Sequence, residues 1–173
     1  MTVQQKTITV VQGDYAVSSD PHVIMSTVLG SCVAVCLFDP RAHVGGMNHF
    51  LLAGDGQARG DDLKYGVNAM ELLINRVLRA GGDRRALQAK LFGGARMTDH
   101  ARDIGHSNAV FALEFLAREG IPCVSQSLGG QKARRIQFTP STGAARQLQV
   151  SGPPPEIRPI AQVLPKPEAI TLF

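Results

Sequence analysis

The chain has 173 residues, of which 44% are hydrophobic, and its formal net charge is +4. One domain is expected, since a domain of about 150 residues buries roughly 70% of its unfolded surface. The sequence has no run of about 18 apolar residues, and its N-terminus lacks the apolar stretch and cleavage site of a signal peptide. These features argue against membrane insertion and predict a cytoplasmic protein.

The cysteine count and the distribution of charge argue against two further classes of protein, disulfide-stabilised proteins and nucleic-acid-binding proteins. An odd number of cysteines without a secretion signal argues against a disulfide framework. Basic residues cluster at Arg84 and Arg85, and again at Lys132, Arg134 and Arg135. Such clusters are usually solvated faces, and aromatic residues do not interleave with them, so the sequence predicts no nucleic-acid binding.

Four β-prone runs separated by turn residues occupy the first third of the chain, at residues 7–11, 23–28, 33–38 and 44–52. They predict a β-rich layer, because β-branched and aromatic residues favour strands. Asp39-Pro40-Arg41 predicts a turn between the last two runs, since Pro fixes φ and Asp can bond the following backbone. The resulting hairpin would bring the start of one strand beside the end of the next.

The middle of the chain predicts two helices. The first follows a polar, Gly-rich stretch at residues 54–61, and its apolar residues recur at helical spacing: Val67, Met70, Ile74 and Val77. Asp61 or Asp62 can cap its start, and Gly81 can end it. The second is expected over about residues 107–119. Its inward side chains would be Val110, Leu113 and Leu116.

Further strands are expected at residues 88–92, 123–127, 133–138 and 147–150. After Ser151 the chain becomes rich in proline, which removes amide donors and favours extended backbone. We therefore predict one domain over residues 1–150 and a Pro-rich C-terminal tail over residues 151–173 outside the core. Strands and helices do not alternate regularly, so the expected class is α+β, with layered mixed β-sheets and two main helices on one side.

The stretch that carries chemistry is Gly30-Ser31-Cys32. Gly30 and Ser31 let the backbone turn sharply, so Cys32 is expected on a bend where amide N–H groups can stabilise an oxyanion. His49 ends the following strand, and the hairpin would bring it beside Cys32. A neighbouring imidazole can form a thiolate–imidazolium pair with a thiol whose free pKa is about 8.5. The hydroxyl of Ser26 is the candidate to orient that imidazole.

Other interpretations of these residues remain open. A cysteine in a strand is more often a small buried hydrophobe than a nucleophile, and a lone histidine is usually structural. Cys32, Cys36, His43 and His49 have a spacing superficially like that of a zinc module. Residues i and i+4 on a strand stand roughly 13 Å apart, however, which is too far for both sulfurs to bind one ion. The sequence therefore predicts no metal and no cofactor.

Several segments, taken in order, resemble one known family. They are LGSCVAVCLFD, GGMNHF, KYGVNAMELLIN, AKLFGGARM, DIGHSN, EGIPCVSQSLGG and RRIQF. They are similar to segments of the CheD chemoreceptor glutamine deamidases, and the resemblance as a whole spans roughly residues 13–150. Motifs that recur in the same order are far more specific than any one of them.

The resemblance implies a catalytic cysteine in G-S-C, a histidine in M-x-H and a threonine six positions before the cysteine. Cys32 and His49 match the first two, whereas counting back from Cys32 gives Ser26, with Thr27 beside it. Serine lacks the β-branch that stiffens χ1, so its contact with the imidazole would be looser. A second departure is Ser127, at a position where the family often has Asp.

The resemblance also implies a fold similar to the cytotoxic necrotizing factor deamidase domain. The implied activity is conversion of glutamine side chains to glutamate in the cytoplasmic helices of methyl-accepting chemotaxis receptors, and the implied further partner is a CheC-type phosphatase. An alternative is a non-catalytic module that binds and regulates such a phosphatase. A general cysteine protease or transglutaminase would fit the Cys-His pair but not the extended resemblance.

Overall fold

The computed structural model describes residues 2–52, 60–97, 104–150 and 167–173. Over these residues the chain forms two five-stranded mixed β-sheets, two α-helices and one short 3-10 helix, Arg84–Ala86. The expected α+β class with layered mixed sheets and two main helices is confirmed. None of the described helices is both long and apolar enough to cross a membrane. In chain order the elements are β1 (Lys6–Thr9), β2 (Tyr15–Ser18), β3 (Val23–Leu29), β4 (Val33–Asp39), β5 (Val44–Phe50), α1 (Asp61–Arg79), β6 (Gln88–Gly93), α2 (Ile104–Glu119), β7 (Cys123–Leu128), β8 (Ala133–Thr139), β9 (Ala144–Val150) and β10 (Pro167–Leu172).

The two sheets form two layers. The first has the strand order β1-β3-β8-β9-β10, and the second has the order β2-β5-β4-β6-β7. The β1–β3 and β6–β7 pairs are parallel, and the other pairs are antiparallel. Both helices pack on the second sheet, α1 mainly on β5 and α2 on β4 and β6. The layer order is therefore helices, second sheet, first sheet.

β4 lies in the centre of this arrangement, and all its residues are buried. Val33 and Leu37 face the helices, whereas Ala34 and Cys36 face the first sheet. A strand that is covered on both faces needs apolar side chains on both, which explains its nearly continuous apolar sequence. The two apolar clusters that meet at β4 are the core of the domain.

The expected hairpin between β4 and β5 is confirmed. The Asp39 carboxylate accepts hydrogen bonds from the amides of Arg41 and Ala42, at 2.8 and 3.0 Å, and so closes the turn. It also accepts from the amide of Asp83 at 2.8 Å, which ties the turn to the segment before β6. The register of the hairpin places Ala34 opposite His49.

The helix ends and faces differ in part from the expectation. α1 begins at Asp61 after Gly60, which has no capping side chain, so Asp61 and Asp62 lie in the first turn, where carboxylates favour the helix dipole. Gly81, with φ 114°, follows the end of α1 as expected. α2 begins at Ile104, and its inward face is rotated from the expected one. Its buried residues are Gly105, Asn108, Ala109, Phe111, Ala112, Phe115 and Leu116.

Two strands, β2 and β10, were not predicted from the sequence. The short β2 pairs with β5 at the edge of the second sheet. β10 pairs antiparallel with β9, and the ring centroid of Phe173 lies 5.3 Å from that of Phe92. The end of the predicted C-terminal tail thus belongs to the first sheet, while its residues 151–166, and most of the Gly-rich loop at 54–61, lie outside the described residues.

Arg134 is not on a solvated face, as its basic cluster suggested, but is only 2% exposed. Its guanidinium donates to the carbonyl and hydroxyl oxygens of Ser127, at 2.6 and 3.0 Å, and to the carbonyl of Gly129. Burial lowers the pKa of Arg134. No carboxylate within the described ranges forms an ion pair with it. Ser127 therefore gives a neutral partner to a buried cation.

We expect Ser127→Asp to raise the free energy of unfolding by about 1 kcal/mol, because its carboxylate would form a charge-assisted hydrogen bond with Arg134. Urea denaturation at pH 7 measures the change, with Ser127→Asn as the uncharged control of matched shape. The guanidinium would lower the pKa of the new carboxyl, so the gain should be lost as the pH falls below about 4. Equal stability of the two variants would contradict this account of Arg134.

Candidate active site

Cys32 lies on the bend between β3 and β4, and its side chain is partly exposed. Three successive carbonyl groups hold this bend. Those of Gly30 and Cys32 accept hydrogen bonds from the backbone of residues 94–95, at 3.0 and 2.8 Å. The carbonyl of Ser31 accepts from the side chain of Asn108 at 2.9 Å. The expected bend is therefore present, and it is fixed to the segment after β6 and to α2.

The same anchoring sets the direction of the amide groups in the bend. In a trans peptide unit the N–H points away from the carbonyl of the preceding residue, and the described residues contain no cis peptide bond. The carbonyls of Gly30 and Ser31 point toward their donors, so the N–H groups of Ser31 and Cys32 point away from those donors. The amide of Cys32 also acts on its own sulfur, where it partly opposes the effect of burial on the pKa of the thiol.

His49 lies on β5 directly opposite Ala34, so both side chains point toward the first sheet. Cys32 packs against the same apolar cluster as Ala34, two positions before it. That position makes Cys32 a diagonal neighbour of His49, and diagonal neighbours stand about 7–8 Å apart, within reach of a ring side chain. Cys32 and His49 therefore lie on one face of the second sheet.

A hydroxyl on the first sheet sets the tautomer of His49. Thr27 Oγ1 lies 2.6 Å from the Val10 carbonyl oxygen and 2.8 Å from His49 Nδ1. The hydroxyl has one proton and donates it to the carbonyl, so it must accept from an Nδ1–H group. Nδ1 also lies 3.4 Å from the same carbonyl oxygen, which can only accept. Nε2 of His49 therefore carries the lone pair, and it is buried without a hydrogen-bond partner in the described part of the chain.

The hydroxyl that contacts the imidazole is that of Thr27 and not that of Ser26. β3 alternates between buried and partly exposed residues, and Thr27 lies on the buried face while Ser26 lies on the other. Successive side chains of a strand point to opposite faces, so Ser26 and Thr27, which are adjacent in β3, cannot both face His49. Ser26 was expected to orient the imidazole, and this expectation is wrong. The β-branched Thr27 makes the contact with His49 instead.

The turn between β1 and β2 lies over the site. The amide of Asp14 donates to the carbonyl three residues earlier at 3.0 Å, and Gly13 has φ 90°, as a type II turn requires. The backbone of this turn is fixed to His49, whose carbonyl accepts from Gly13 at 2.8 Å and whose amide donates to Asp14 at 3.1 Å. The remaining turn residue, Gln12, accepts a hydrogen bond from the thiol of Cys32, with Sγ and Oε1 3.6 Å apart.

Burial sets the protonation states of the resting pair. It raises the pKa of the Cys32 thiol to about 11. It lowers the pKa of His49, against an opposite effect of the Val10 carbonyl. At neutral pH the thiol is protonated and the imidazole is uncharged. Desolvation disfavours both charged forms, so burial opposes the thiolate–imidazolium pair expected from the sequence.

The four residues whose spacing resembles that of a zinc module are Cys32, Cys36, His43 and His49, and the structure gives the position of each. Cys36 is fully buried in the apolar layer between the sheets, and burial raises the pKa of its thiol. His43 follows the β4–β5 turn, where its Nδ1 lies 3.3 Å from the Ser141 carbonyl oxygen. Within residues 2–52, 60–97, 104–150 and 167–173, no three His, Cys, Asp or Glu side chains form a group that could hold a metal ion.

Asn108 is a site residue for which the sequence suggested no role, although it ends one of the segments that carry the family resemblance. It is fully buried, and its side chain accepts from the amide of Leu52 at 2.9 Å while donating to the carbonyl of Ser31. Leu52 comes three residues after His49. One side chain thus connects the bend that carries Cys32 with the strand that carries His49.

We expect Asn108→Ala to lower the free energy of unfolding by about 2–4 kcal/mol, because the amide of Leu52 and the carbonyl of Ser31 would each lose a buried side-chain partner. Urea denaturation measures the change. Asn68→Ala on the exposed face of α1 is the matched control and should change stability by less than about 0.5 kcal/mol. Equal effects of the two substitutions would show that the Asn108 hydrogen bonds add nothing to stability.

We expect the rate of alkylation of Cys32 by iodoacetamide in the free protein to rise with pH up to about 11, the raised pKa of the thiol. The thiolate is the nucleophile, and its fraction grows about tenfold per pH unit below that pKa. Peptide mass spectrometry over a pH series measures the rate at Cys32, with the buried Cys36 as an internal control. A plateau reached below pH 8 would instead indicate a preformed thiolate–imidazolium pair.

The fold has distant likenesses among solved structures. A crystal structure of a Neisseria meningitidis protein of the DUF152 family gives a TM-score of 0.45 at 15% sequence identity, covering 68% of this chain and 53% of that chain. A crystal structure of a Bacillus licheniformis protein, YfiH, gives a TM-score of 0.42 at 14% identity, covering 66% of this chain and 50% of that one.

Sequence comparisons give a closer relation. The sequence model of CheD, described as CheD chemotactic sensory transduction, matches residues 51–148. A probable chemoreceptor glutamine deamidase CheD 1 of Ruegeria sp. is 53% identical over 145 residues, covering 84% of this chain and 78% of the relative. A probable chemoreceptor glutamine deamidase CheD of Caulobacter vibrioides is 52% identical over 153 residues, covering 86% of this chain and 82% of the relative. The chain belongs to the CheD family.

Proposed function

We propose that this chain hydrolyses the side-chain amide of glutamine residues in chemotaxis receptors, with Cys32 as nucleophile and His49 as general base. The observation that carries the proposal is the contact of His49 Nδ1 with Thr27, which leaves Nε2 without a partner in the described residues, on the same face of the second sheet as Cys32. The substrate class comes from relatives named as probable chemoreceptor glutamine deamidases. The receptor segments would be cytoplasmic helices, and the protein would act in the cytoplasm.

The first step is attack of Cys32 Sγ on the carbonyl carbon of the glutamine carboxamide. In the resting site the thiol holds its proton, because burial raises its pKa to about 11. The imidazole is uncharged, because burial lowers its pKa. Nε2 therefore accepts the proton as the carbon–sulfur bond forms, and not before substrate arrives. Binding of substrate supplies the polar environment that the resting pair lacks.

The negative charge on the attacked oxygen needs donors near Cys32. The N–H groups of Ser31 and Cys32 suit this role, because the anchored carbonyls of the bend direct them away from Asn108 and the segment after β6. A Cβ at Gly30 would lie 3.3 Å from the side chain of Met97, so glycine lets the bend and Met97 approach closely. We assign Gly30 to the turn and the two amides to the oxyanion site.

The remaining steps use the same imidazole. Protonated Nε2 gives its proton to the leaving nitrogen, ammonia departs, and a thioester to Cys32 remains. Nε2 then takes a proton from water, which attacks the thioester carbon and releases glutamate and the free thiol. Thr27 touches no reacting atom, so it is a positioning residue that holds the Nδ1–H tautomer through all these steps.

Interaction with a CheC-type phosphatase stays a prediction from the family resemblance. Such an interaction would use a surface of the protein and would not require the thiol of Cys32. Retention of such a phosphatase by both wild type and Cys32→Ala, together with no ammonia from any receptor, would favour the alternative of a non-catalytic regulator.

The proposal is tested by incubating the protein with a receptor cytoplasmic fragment and measuring ammonia release and the mass gain of about one unit per deamidated glutamine. We expect Cys32→Ala and His49→Ala each to lower the rate by several orders of magnitude, since members of such a unit act together. Ammonia release by Cys32→Ala at the wild-type rate would exclude this nucleophile. Cleaved or cross-linked peptides would indicate a protease or transglutaminase.

A second set of variants tests the orienting hydroxyl. Thr27→Val keeps the shape of the side chain but removes the acceptor for Nδ1–H, so kcat should fall by more than about tenfold with little change in KM. Thr27→Ser retains the hydroxyl and should stay near wild type, as should Ser26→Ala, whose hydroxyl lies on the other face. A large loss in Ser26→Ala with none in Thr27→Val would reverse the assignment.

A further inference from the structure

The turn over the site carries a carboxamide of its own. Gln12 Oε1 lies 3.6 Å from Cys32 Sγ and accepts the hydrogen bond of the thiol. This is the chemical group that the proposed function assigns to the substrate, and it stands beside the proposed nucleophile. His49 Nε2 has meanwhile no hydrogen-bond partner in the described residues, so the thiol proton is directed at Gln12 and not at the base.

The backbone of the turn restricts where this carboxamide can go. The hydrogen bond between Asp14 and Val11 closes the turn, and two hydrogen bonds join Gly13 and Asp14 to the main chain of His49. The Val10 carbonyl just before the turn also accepts from Thr27. Gln12 thus projects from a segment that is held on both sides by the residues that orient the imidazole. Such tethering gives the carboxamide a high effective concentration at the sulfur.

We propose that Gln12 is an intramolecular substrate of Cys32 and is converted to glutamate by the protein itself. The inference rests on the proposed function, because it uses the same nucleophile and base. Gln12 is exposed, so rotation about its Cα–Cβ and Cβ–Cγ bonds can bring Cδ toward the sulfur, and the soft Cγ–Cδ torsion then sets which face of the carboxamide the sulfur meets. Gln12 is exposed at its turn, which gives water and the leaving ammonia a path to the site.

Besides the protein itself, the reaction requires only water. Sγ bonds to Cδ of Gln12 while its proton passes to His49 Nε2, and the C–N bond breaks as Nε2 protonates the leaving ammonia. Water then adds to the thioester, its proton passes through the imidazole to sulfur, and the C–S bond breaks. The products are a carboxylate at position 12, ammonia and the regenerated thiol.

The product would change the site for later substrates. A carboxylate beside Cys32 disfavours the thiolate through like-charge repulsion, whereas the uncharged carboxamide does not. Gln12→Glu, which imitates the product, should therefore lower kcat on a receptor fragment by about tenfold if the thiol pKa rises by one unit. An unchanged or raised kcat, relative to wild type in which mass spectrometry shows Gln12 to be still unconverted, would exclude this consequence.

The test uses the full-length protein and peptide mass spectrometry of the segment that contains Gln12. Wild type is expected to gain about one mass unit at Gln12 with time, more than about a hundredfold faster than Cys32→Ala and Cys32→Ser. Gln88 and Gln126 in the same sample are internal controls and should remain unchanged. Equal conversion in wild type and the Cys32 variants would show spontaneous deamidation and overturn the proposal, as would an unconverted Gln12 in wild type.

A mixing experiment separates an intramolecular reaction from one between molecules. Isotope-labelled Cys32→Ala incubated with excess wild type should keep its Gln12, and the rate in wild type should not depend on protein concentration. Conversion of the labelled chain would overturn the intramolecular assignment. A receptor fragment in a parallel sample distinguishes the two proposals: ammonia from receptor with intact Gln12 rejects this inference alone, and conversion of Gln12 with an inert receptor rejects the proposed receptor activity alone.

Discussion

One hydroxyl group determines how the site can work. Thr27 has a single proton to donate and gives it to the Val10 carbonyl, so it can meet the imidazole only as an acceptor. That condition places the proton of His49 on Nδ1 and leaves the lone pair on Nε2. Because Thr27 belongs to the first sheet and His49 to the second, the tautomer depends on the packing of the two sheets against each other.

The same packing explains why the resting site is uncharged. Cys32 packs against the apolar layer between the sheets and His49 is buried, and this burial shifts the pKa of Cys32 upward and that of His49 downward. A preformed ion pair would require two charges in this layer, which is costly. In the proposed reaction the thiol would therefore lose its proton only as it attacks a carboxamide, and Gln12 supplies a carboxamide at the sulfur in the free protein.

Precision at the site comes from connections on both sides of Cys32. The segment after β6 and Asn108 hold the carbonyls of the bend, while the turn between β1 and β2 holds the backbone of His49. These connections join residues that are far apart in the chain, and nearly all of them use main-chain groups. Main-chain groups leave little trace in the sequence, which is why Val10 stands out only once the chain is folded. Asn108 acts through its side chain, but its partners, Leu52 and Ser31, are distant from it in the sequence.

The sequence by itself determined both helices, the β4–β5 hairpin and every strand except β2 and β10, because apolar periodicity and turn residues act locally. Through the turn at Asp39 it also indicated that His49 returns toward Cys32. Only the tertiary structure decided that Thr27 and not Ser26 meets the imidazole, because a strand presents adjacent residues to opposite faces and the packing of a second sheet selects one. It likewise decided the protonation states, since desolvation depends on the whole surrounding layer and not on neighbours in sequence.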